Sequence, residues 1–306
     1  MDFAGMDDER NDLEYRLTAE DAGLKIREVL RRRLEVSARL LRSLKQGGGV
    51  ALDGEPVRMN AKGRAGSSLA VRFPRESSHF EPEDIPISVI YEDRDLLVVD
   101  KQAGLVVHPT KGHSGHTVAN GVMRHMLDRG DGYRIRFINR LDMDTTGLLL
   151  IGKNAYCQET FARQSAAGAV SKRYLAVVEG VVEAGEGDID LPIGKADDGQ
   201  IRRSVMEGGF PSVTHFRTLE RFCAHSLLEI GLRTGRTHQI RVHLAHIGHP
   251  VLGDSLYGRP APPLIGRQAL HAAGLAFAHP RTKARVDAAA PLPGDMASLI
   301  EKLRLT

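Results

Sequence analysis

The chain has no tryptophan, few aromatic residues and only two cysteines. Aromatics are 5% of its 306 residues, so aliphatic side chains must fill the core; the hydrophobic fraction of 42% is enough for one. Cys157 and Cys223 cannot make a disulfide framework or a four-thiolate metal site. No stretch reaches the ~18–20 apolar residues of a membrane span. The start MDFAGMDDERND is acidic and lacks the apolar segment of a secretory signal, so a cytoplasmic protein is expected. Phosphate-binding and hydrolase signatures are missing too. The glycines Gly47–Gly49 lack the Lys-Ser/Thr of a P-loop, and no GxSxG elbow supplies a serine nucleophile. His238, His243, His246 and His249 fit no zinc spacing, so no metal is expected.

Charge is uneven. The formal net charge is only +3. Residues 13–75 hold 14 Lys/Arg against 7 Asp/Glu, a net of +7, whereas residues 76–95 hold 1 Arg against 7 acids, a net of −6. A basic block followed by an acidic one suggests a nucleic-acid-facing module and then a linker.

The periodicity divides the chain accordingly. Residues 1–12 read as a disordered acidic tail. Leu24, Ile26, Val29, Leu30 and Leu34 share one face of a helix, and Ser37 is placed to cap a second one. In that second helix Arg39, Arg42 and Lys45 recur every three residues and would present a cationic stripe to phosphates. Val50–Leu52, the turn Asp53-Gly54 and Val57 read as a hairpin, with a further strand over 68–73. Residues 76–86 (ESSHFEPEDIP) read as the linker, leaving 87–306 as a second, larger domain.

Within that domain, strands are expected at 87–91, 96–99, 147–151, 174–178, 213–221 and 226–232, with Leu105–Val107 continuing the chain as extended structure. Helices are expected at 117–129, 154–167, 238–247 and 296–303. Their irregular alternation argues for an α+β fold with a mixed, largely antiparallel sheet and flanking helices.

Three polar clusters interrupt the hydrophobic strands: KQAGLVVHP (101–109), NRLDMDTTG (139–147) and GRTHQIRVHLAHIGHPVLGD (235–254). By itself Asp142 reads as an ordinary loop aspartate beside Arg140, and such surface pairs contribute little. Asp142 and Asp144 could form a glycosidase pair, which needs carboxylates roughly 5–10 Å apart. The cationic flanks suit a phosphate backbone better than a neutral sugar.

Taken together, four segments in order resemble the RluA/RluD group of RNA pseudouridine synthases over roughly residues 85–305: LLVVDKQAGLVVHP, RLDMDTTGLLL, SKRYLAVVEG and GRTHQIRVHLAHIGHPVLGDSLYG. The second is similar to the family's catalytic motif, usually written HRLDxxTSG. The basic block at 13–75 is similar to the S-four-like RNA-binding module of ribosomal proteins. The resemblance implies a pseudouridine synthase-like fold and the isomerisation of uridine in structured RNA, with ribosomal RNA first and transfer RNA second as partner.

It implies Asp142 as the catalytic aspartate and Tyr174 as the tyrosine that stacks on the base and assists proton removal. Arg241 best matches the buried arginine that pairs with the aspartate, and Arg236 is the second candidate. Arg140 matches the arginine that fills the gap left by the flipped nucleotide. His238 and Gln239 lie in the same motif as Arg236 and complete, with the stripe Arg39, Arg42 and Lys45, the expected substrate-binding set. A helix over 238–247 would put His238 and Arg241 on one side.

Isomerisation needs no redox cofactor, nucleotide or metal, and a monomer is expected. Asn139 and Thr146 depart from the family's usual His and Ser. The alternative is a non-catalytic RNA-binding or ribosome-assembly protein that keeps the fold. Retention of Asp142, Tyr174 and Arg241 argues against it.

Overall fold

Three hydrophobic clusters organise the described residues, one in the N-terminal unit and two on opposite faces of the large sheet. The computed structural model describes residues 12–196, 202–259 and 264–306, so all of the expected acidic tail except Asp12 lies outside the described residues. In the first unit, β1 (Leu13–Arg16), α1 (Ile26–Arg32), α2 (Ala38–Gly47), β2 (Val50–Leu52), β3 (Glu55–Pro56) and β4 (Ser68–Val71) follow in order. The strands form one sheet, β1-β4-β2-β3, against which the two helices bury Ile26, Val29, Leu30, Leu40 and Leu44. Ser37 caps α2 by accepting from the Leu40 N–H at 3.1 Å, and Gly48 ends it in the left-handed region. No helix or strand occurs between Arg72 and Ile87.

The second unit contains β5 (Ser88–Glu92), β6 (Leu96–Lys101), α3 (Val118–Arg129), β7 (Arg136–Phe137), β8 (Thr146–Gly152), α4 (Ala155–Ala166), β9 (Ser171–Glu179), β10 (Glu186–Asp190), β11 (Ile193–Lys195), β12 (Arg203–Val205), β13 (Val213–Arg221), β14 (His225–Leu232), α5 (Gln239–His246), β15 (Leu270–Ala278), β16 (Arg285–Ala289) and α6 (Gly294–Arg304). A ten-stranded sheet runs β10-β13-β14-β9-β15-β8-β6-β5, with β16 on β15 and β7 on β8; β11 and β12 form a separate ribbon. Every pairing in the large sheet is antiparallel except β8 with β15. The fold is α+β, with a mixed, largely antiparallel sheet.

The unbroken apolar runs LLVV in β6 and LLLI in β8 follow from this position. Leu97, Val99, Leu149 and Ile151 face one core with α3, α5 and α6. Leu96, Val98, Leu148 and Leu150 face the other with α4, where Phe161 meets Phe277 edge-on at 4.8 Å. A strand buried on both faces shows no polar alternation. The two units also touch: Tyr156 of α4 joins the N-terminal core, stacks on Phe73, and lies one turn from Glu159, which accepts from Ser37.

Two local features go beyond the expectations. Leu105–Val107 continues the chain without joining a sheet. Its carbonyls cap α3 instead, with Val106 and Val107 accepting from the N–H groups of Val118 and Ala119, both at 3.0 Å. β15 (LHAAGLAFA) was not expected, because alanine and glycine carry little strand preference. It nevertheless lies near the middle of the sheet, between β9 and β8.

Candidate active site

Asp142 lies in the turn that leads from β7 into β8. The turn closes with the Thr145 N–H donating to the Asp142 carbonyl at 3.1 Å. Its backbone is held from below by two buried cations. Lys101 Nζ donates to the Met143 carbonyl at 2.7 Å and to those of Gln102 and Leu105 at 2.8 Å. Arg267 Nη1 donates to the Asp144 carbonyl at 3.1 Å, while its Nε and Nη2 grip Asp295. Burial pushes the Lys101 ammonium down to about 8, against the pull of Asp144 and Asp142.

The turn is also tied to the sheet. Gly147 has φ +106°, and a Cβ there would meet the Ala272 carbonyl oxygen of β15 at 2.3 Å. Only glycine permits the close parallel approach of β8 and β15. Thr146 bonds Nδ1 of the buried His271 at 2.9 Å. Asn139 acts as a surrogate strand residue: its Nδ2 donates to the Leu148 carbonyl at 3.1 Å and its Oδ1 accepts from the Leu150 N–H at 2.7 Å. Both departures from the usual motif therefore hold β8 in place, and neither bonds the Asp142 carboxylate.

The Asp142 carboxylate opens onto a cleft of about 560 Å³ lined also by Tyr174, Lys172, Arg140, Arg236, His238 and Arg241. Arg241 Nη1 donates to Asp142 Oδ2 at 2.8 Å. The same guanidinium is gripped on its other edge by buried Asp254, through Nε at 2.6 Å and Nη2 at 2.8 Å, and lies over the Tyr257 ring at 5.1 Å. Burial opposes its charge, but the two carboxylates outweigh burial and raise its pKa above the usual arginine value. For Asp254, burial is likewise outweighed by Arg241 and by the N–H groups of Leu256 and Tyr257, and its pKa falls. With its Nε–Nη2 edge held by Asp254, Arg241 presents Nη1 toward Asp142.

Of the two arginines considered as the aspartate's partner, Arg241 makes the contact. Arg236 is exposed, with its guanidinium over the Phe210 ring at 5.4 Å and its Nε donating to the Pro211 carbonyl at 3.3 Å. Arg140 is exposed at the rim and donates to Thr237 Oγ1 at 3.0 Å. Tyr174 sits in β9, buried in the cleft wall; burial first, then Asp142, raises its pKa and keeps the phenol protonated.

His238 is not part of the helix. It precedes α5 with φ +57°, so its proximity to Arg241 does not come from helical spacing. It still reaches the site, with Nε2 3.9 Å from Asp142 Oδ2. Gln239 faces inward. It donates to the Val213 carbonyl and Thr214 Oγ1 and accepts from Thr234 Oγ1 and the Arg236 N–H, so its amide fastens the 234–238 segment to β13. Arg39, Arg42 and Lys45 lie far from this cleft in sequence, exposed on α2 and without an ion-pair partner among the described residues.

Sequence reasoning did not single out Lys101, Lys172, Asp254, Tyr257 or Arg267. Lys172 is half-buried in the cleft wall two residues before Tyr174, hence on the same strand face, and burial lowers its pKa. Its signal was available in that spacing. The others carry no local pattern to mark them, whether they fall inside the four motif segments or outside them.

The chain is similar to known proteins along most of its length. A model of the family described as RNA pseudouridylate synthase matches residues 95–246. The uncharacterized RNA pseudouridine synthase YlyB of Bacillus subtilis is 42% identical over 261 residues, 84% of this chain and 86% of the relative. The ribosomal large subunit pseudouridine synthase D of Nitrosomonas europaea is 37% identical over 313 residues, 98% of this chain and 90% of the relative. The solved structure of human RNA pseudouridylate synthase domain containing 1 superposes with a TM-score of 0.56 and 26% identity, covering 76% of this chain and 98% of that one.

Proposed function

The chain belongs to the RNA pseudouridylate synthase family, and from that premise we propose that it isomerises uridines of large-subunit ribosomal RNA with Asp142 as nucleophile. The observation that carries the residue assignment is the 2.8 Å contact between Asp142 Oδ2 and Arg241 Nη1, at the floor of a cleft walled by Tyr174. An arginine locked on its far side by Asp254 favours the ionised carboxylate and fixes its direction. A uridine has to leave its stack to reach that depth, which costs a few kcal/mol. Arg140 at the rim is placed to fill the vacated space, and Tyr174 to stack on the base. Asp142 bonds to C1′ as the C1′–N1 bond breaks and its electron pair leaves with the uracil; the base rotates, C5 bonds to C1′ as the carboxylate is released, the C5 proton goes to a base, and N1 takes one up.

The ribosomal target rests on the relative named for the large subunit. Residues 13–75 serve in this reading as an S-four-like RNA-binding domain, joined by residues 76–86 to the catalytic domain 87–306. The stripe Arg39, Arg42 and Lys45 meets phosphates outside the cleft, and Lys172 and Arg236 meet those of the target strand. Among the described residues no helix is long and apolar enough to cross a membrane. A ribosomal substrate places the work in the cytoplasm, and a single chain supplies every group named here.

The test is Asp142→Asn in a strain lacking the wild-type gene, followed by pseudouridine mapping of ribosomal and transfer RNA. One or a few large-subunit uridines should lose modification while the variant still binds RNA. Full modification at every site would remove Asp142 from the role.

A further inference from the structure

Tyr257 sits beneath the reacting pair without touching the carboxylate. Its hydroxyl oxygen accepts from the Arg203 N–H of β12 at 2.8 Å. The hydroxyl's other polar neighbour among the described residues is Nδ1 of His238, at 2.9 Å. A phenol has one proton to give, and donating it to that nitrogen is the arrangement that uses the hydroxyl's hydrogen within this contact. Nδ1 is then an acceptor, and the neutral imidazole carries its hydrogen on Nε2, the nitrogen 3.9 Å from Asp142 Oδ2. The ring is held edge-on to Tyr257, with centroids 5.7 Å apart, and the backbone holds a left-handed conformation that non-glycine residues rarely adopt. An ordinary helix-capping residue requires none of this, and the His238 side chain makes no capping bond.

We infer that His238 is a catalytic hydrogen-bond donor of the isomerisation, fixed as its Nε2–H tautomer by Tyr257, which is a positioning residue. The inference rests on the isomerase reading above. When C1′–N1 breaks, the electron pair leaves with the uracil and its negative charge spreads onto the O2 and O4 carbonyl oxygens. An N–H donor in the cleft stabilises that charge more than it stabilises neutral uridine, which is the condition for accelerating a step. The donor transfers no proton. The electron pair is returned when C5 bonds to C1′, the C5 proton departs to a base, and N1 gains one.

A neutral donor suits this place. An imidazolium would pair with Asp142 and occupy the nucleophile. Burial is the largest influence lowering the His238 pKa, with Arg241 and Arg203 acting the same way and Asp142 and Asp254 opposing. Protonation at Nδ1 would also oblige the Tyr257 hydroxyl to turn its hydrogen away and give up the bond it donates. Arg241 already commits three of its N–H groups, on Nε, Nη1 and Nη2, to Asp254 and Asp142.

The test uses the full chain in three measurements. Nitrogen-15 spectra of histidine-labelled protein, assigned by difference against His238→Gln, should show His238 neutral at pH 7 with hydrogen on Nε2. An Nδ1–H tautomer or an imidazolium would overturn the inference whatever the activity. In single-turnover assays on ribosomal RNA, His238→Ala should lower the rate by about 10²–10³, the usual effect of losing one such donor. Its RNA Kd should stay within about twofold. His238→Gln, which keeps an N–H donor, should recover at least tenfold of that loss. A His238→Ala rate within about threefold of wild type, or a defect confined to Kd, would overturn it. Tyr257→Phe should move the acid limb of the rate profile to higher pH, since the variant no longer penalises protonation at Nδ1; an unmoved limb would refute the tautomer lock. A wild-type chain that forms no pseudouridine would instead sink the isomerase reading and leave the spectroscopic result standing.

Discussion

Asp254 grips Arg241 along one edge, with Oδ2 2.6 Å from Nε and Oδ1 2.8 Å from Nη2, and both groups are buried. Asp254 is the residue that aims the arginine at Asp142. Truncation to Asp254→Ala leaves a buried guanidinium half paired, and breaking such a pair costs about 3–5 kcal/mol. The loss should appear as a lowered urea midpoint. Asp254→Asn keeps the shape and should be milder in stability, yet still lower kcat more than it raises KM, because Arg241 is released from its fixed direction.

Lys101 should give the wild-type protein a basic limb. Its ammonium holds three carbonyls, among them that of Met143 next to the nucleophile, and burial brings its pKa down to about 8. Above that pH one of the three bonds loses its hydrogen, the turn loosens, and kcat should fall. Stability should move the other way. Between about 8 and the ordinary lysine value the unfolded chain binds the proton that the folded chain has released, so this group's contribution to stability rises with pH there. Rate profiles and urea titrations from pH 7 to 10 on wild type and Lys101→Met check both signs. A basic limb that persists unchanged in Lys101→Met would assign it to another group.

Asn139 should prove structural. Its two bonds to the backbone of β8 predict that Asn139→Ala lowers stability by about 1–3 kcal/mol, the range for removing two hydrogen bonds at a half-buried site. Activity per folded molecule should drop by less than tenfold. Thermal unfolding alongside single-turnover rates separates the two. A rate collapse with unchanged stability would place Asn139 in the chemistry.

The stripe on α2 should govern affinity and its salt dependence. With Arg39, Arg42 and Lys45 all changed to Gln, RNA should bind more weakly. The slope of log K against log salt should flatten by about 2–3, near 0.7–0.9 for each phosphate that is no longer neutralised. The bound rate constant should stay near wild type, since the stripe lies outside the cleft. An unaltered slope would take α2 off the RNA.

Much of the architecture was legible in order along the chain. LLVV and LLLI announced strands, and Ser37 and Asn154 marked helix starts, while the resemblance of the segments around Asp142, Tyr174 and Arg241 to one family implied the chemistry. Those signals survive because they are local: side-chain period, capping and turn chemistry act within a few residues. β15 escaped because its alanines and glycine pack between neighbours whose positions no local pattern records.

The site itself depended on convergence. Which arginine meets Asp142 was open in the sequence, where Arg236 and Arg241 share one motif. The fold decides it by bringing Arg241 across a separation of 99 residues while Arg236 turns toward Phe210. The supports of the turn from Lys101 and Arg267, the grip of Asp254 and the Tyr257 contact with His238 have the same origin. Each is a hydrogen bond a few ångströms long between side chains and segments that local periodicity treats separately. Residue types and order determined what chemistry the chain could carry; only the packed sheet determined which groups come within bonding distance to carry it.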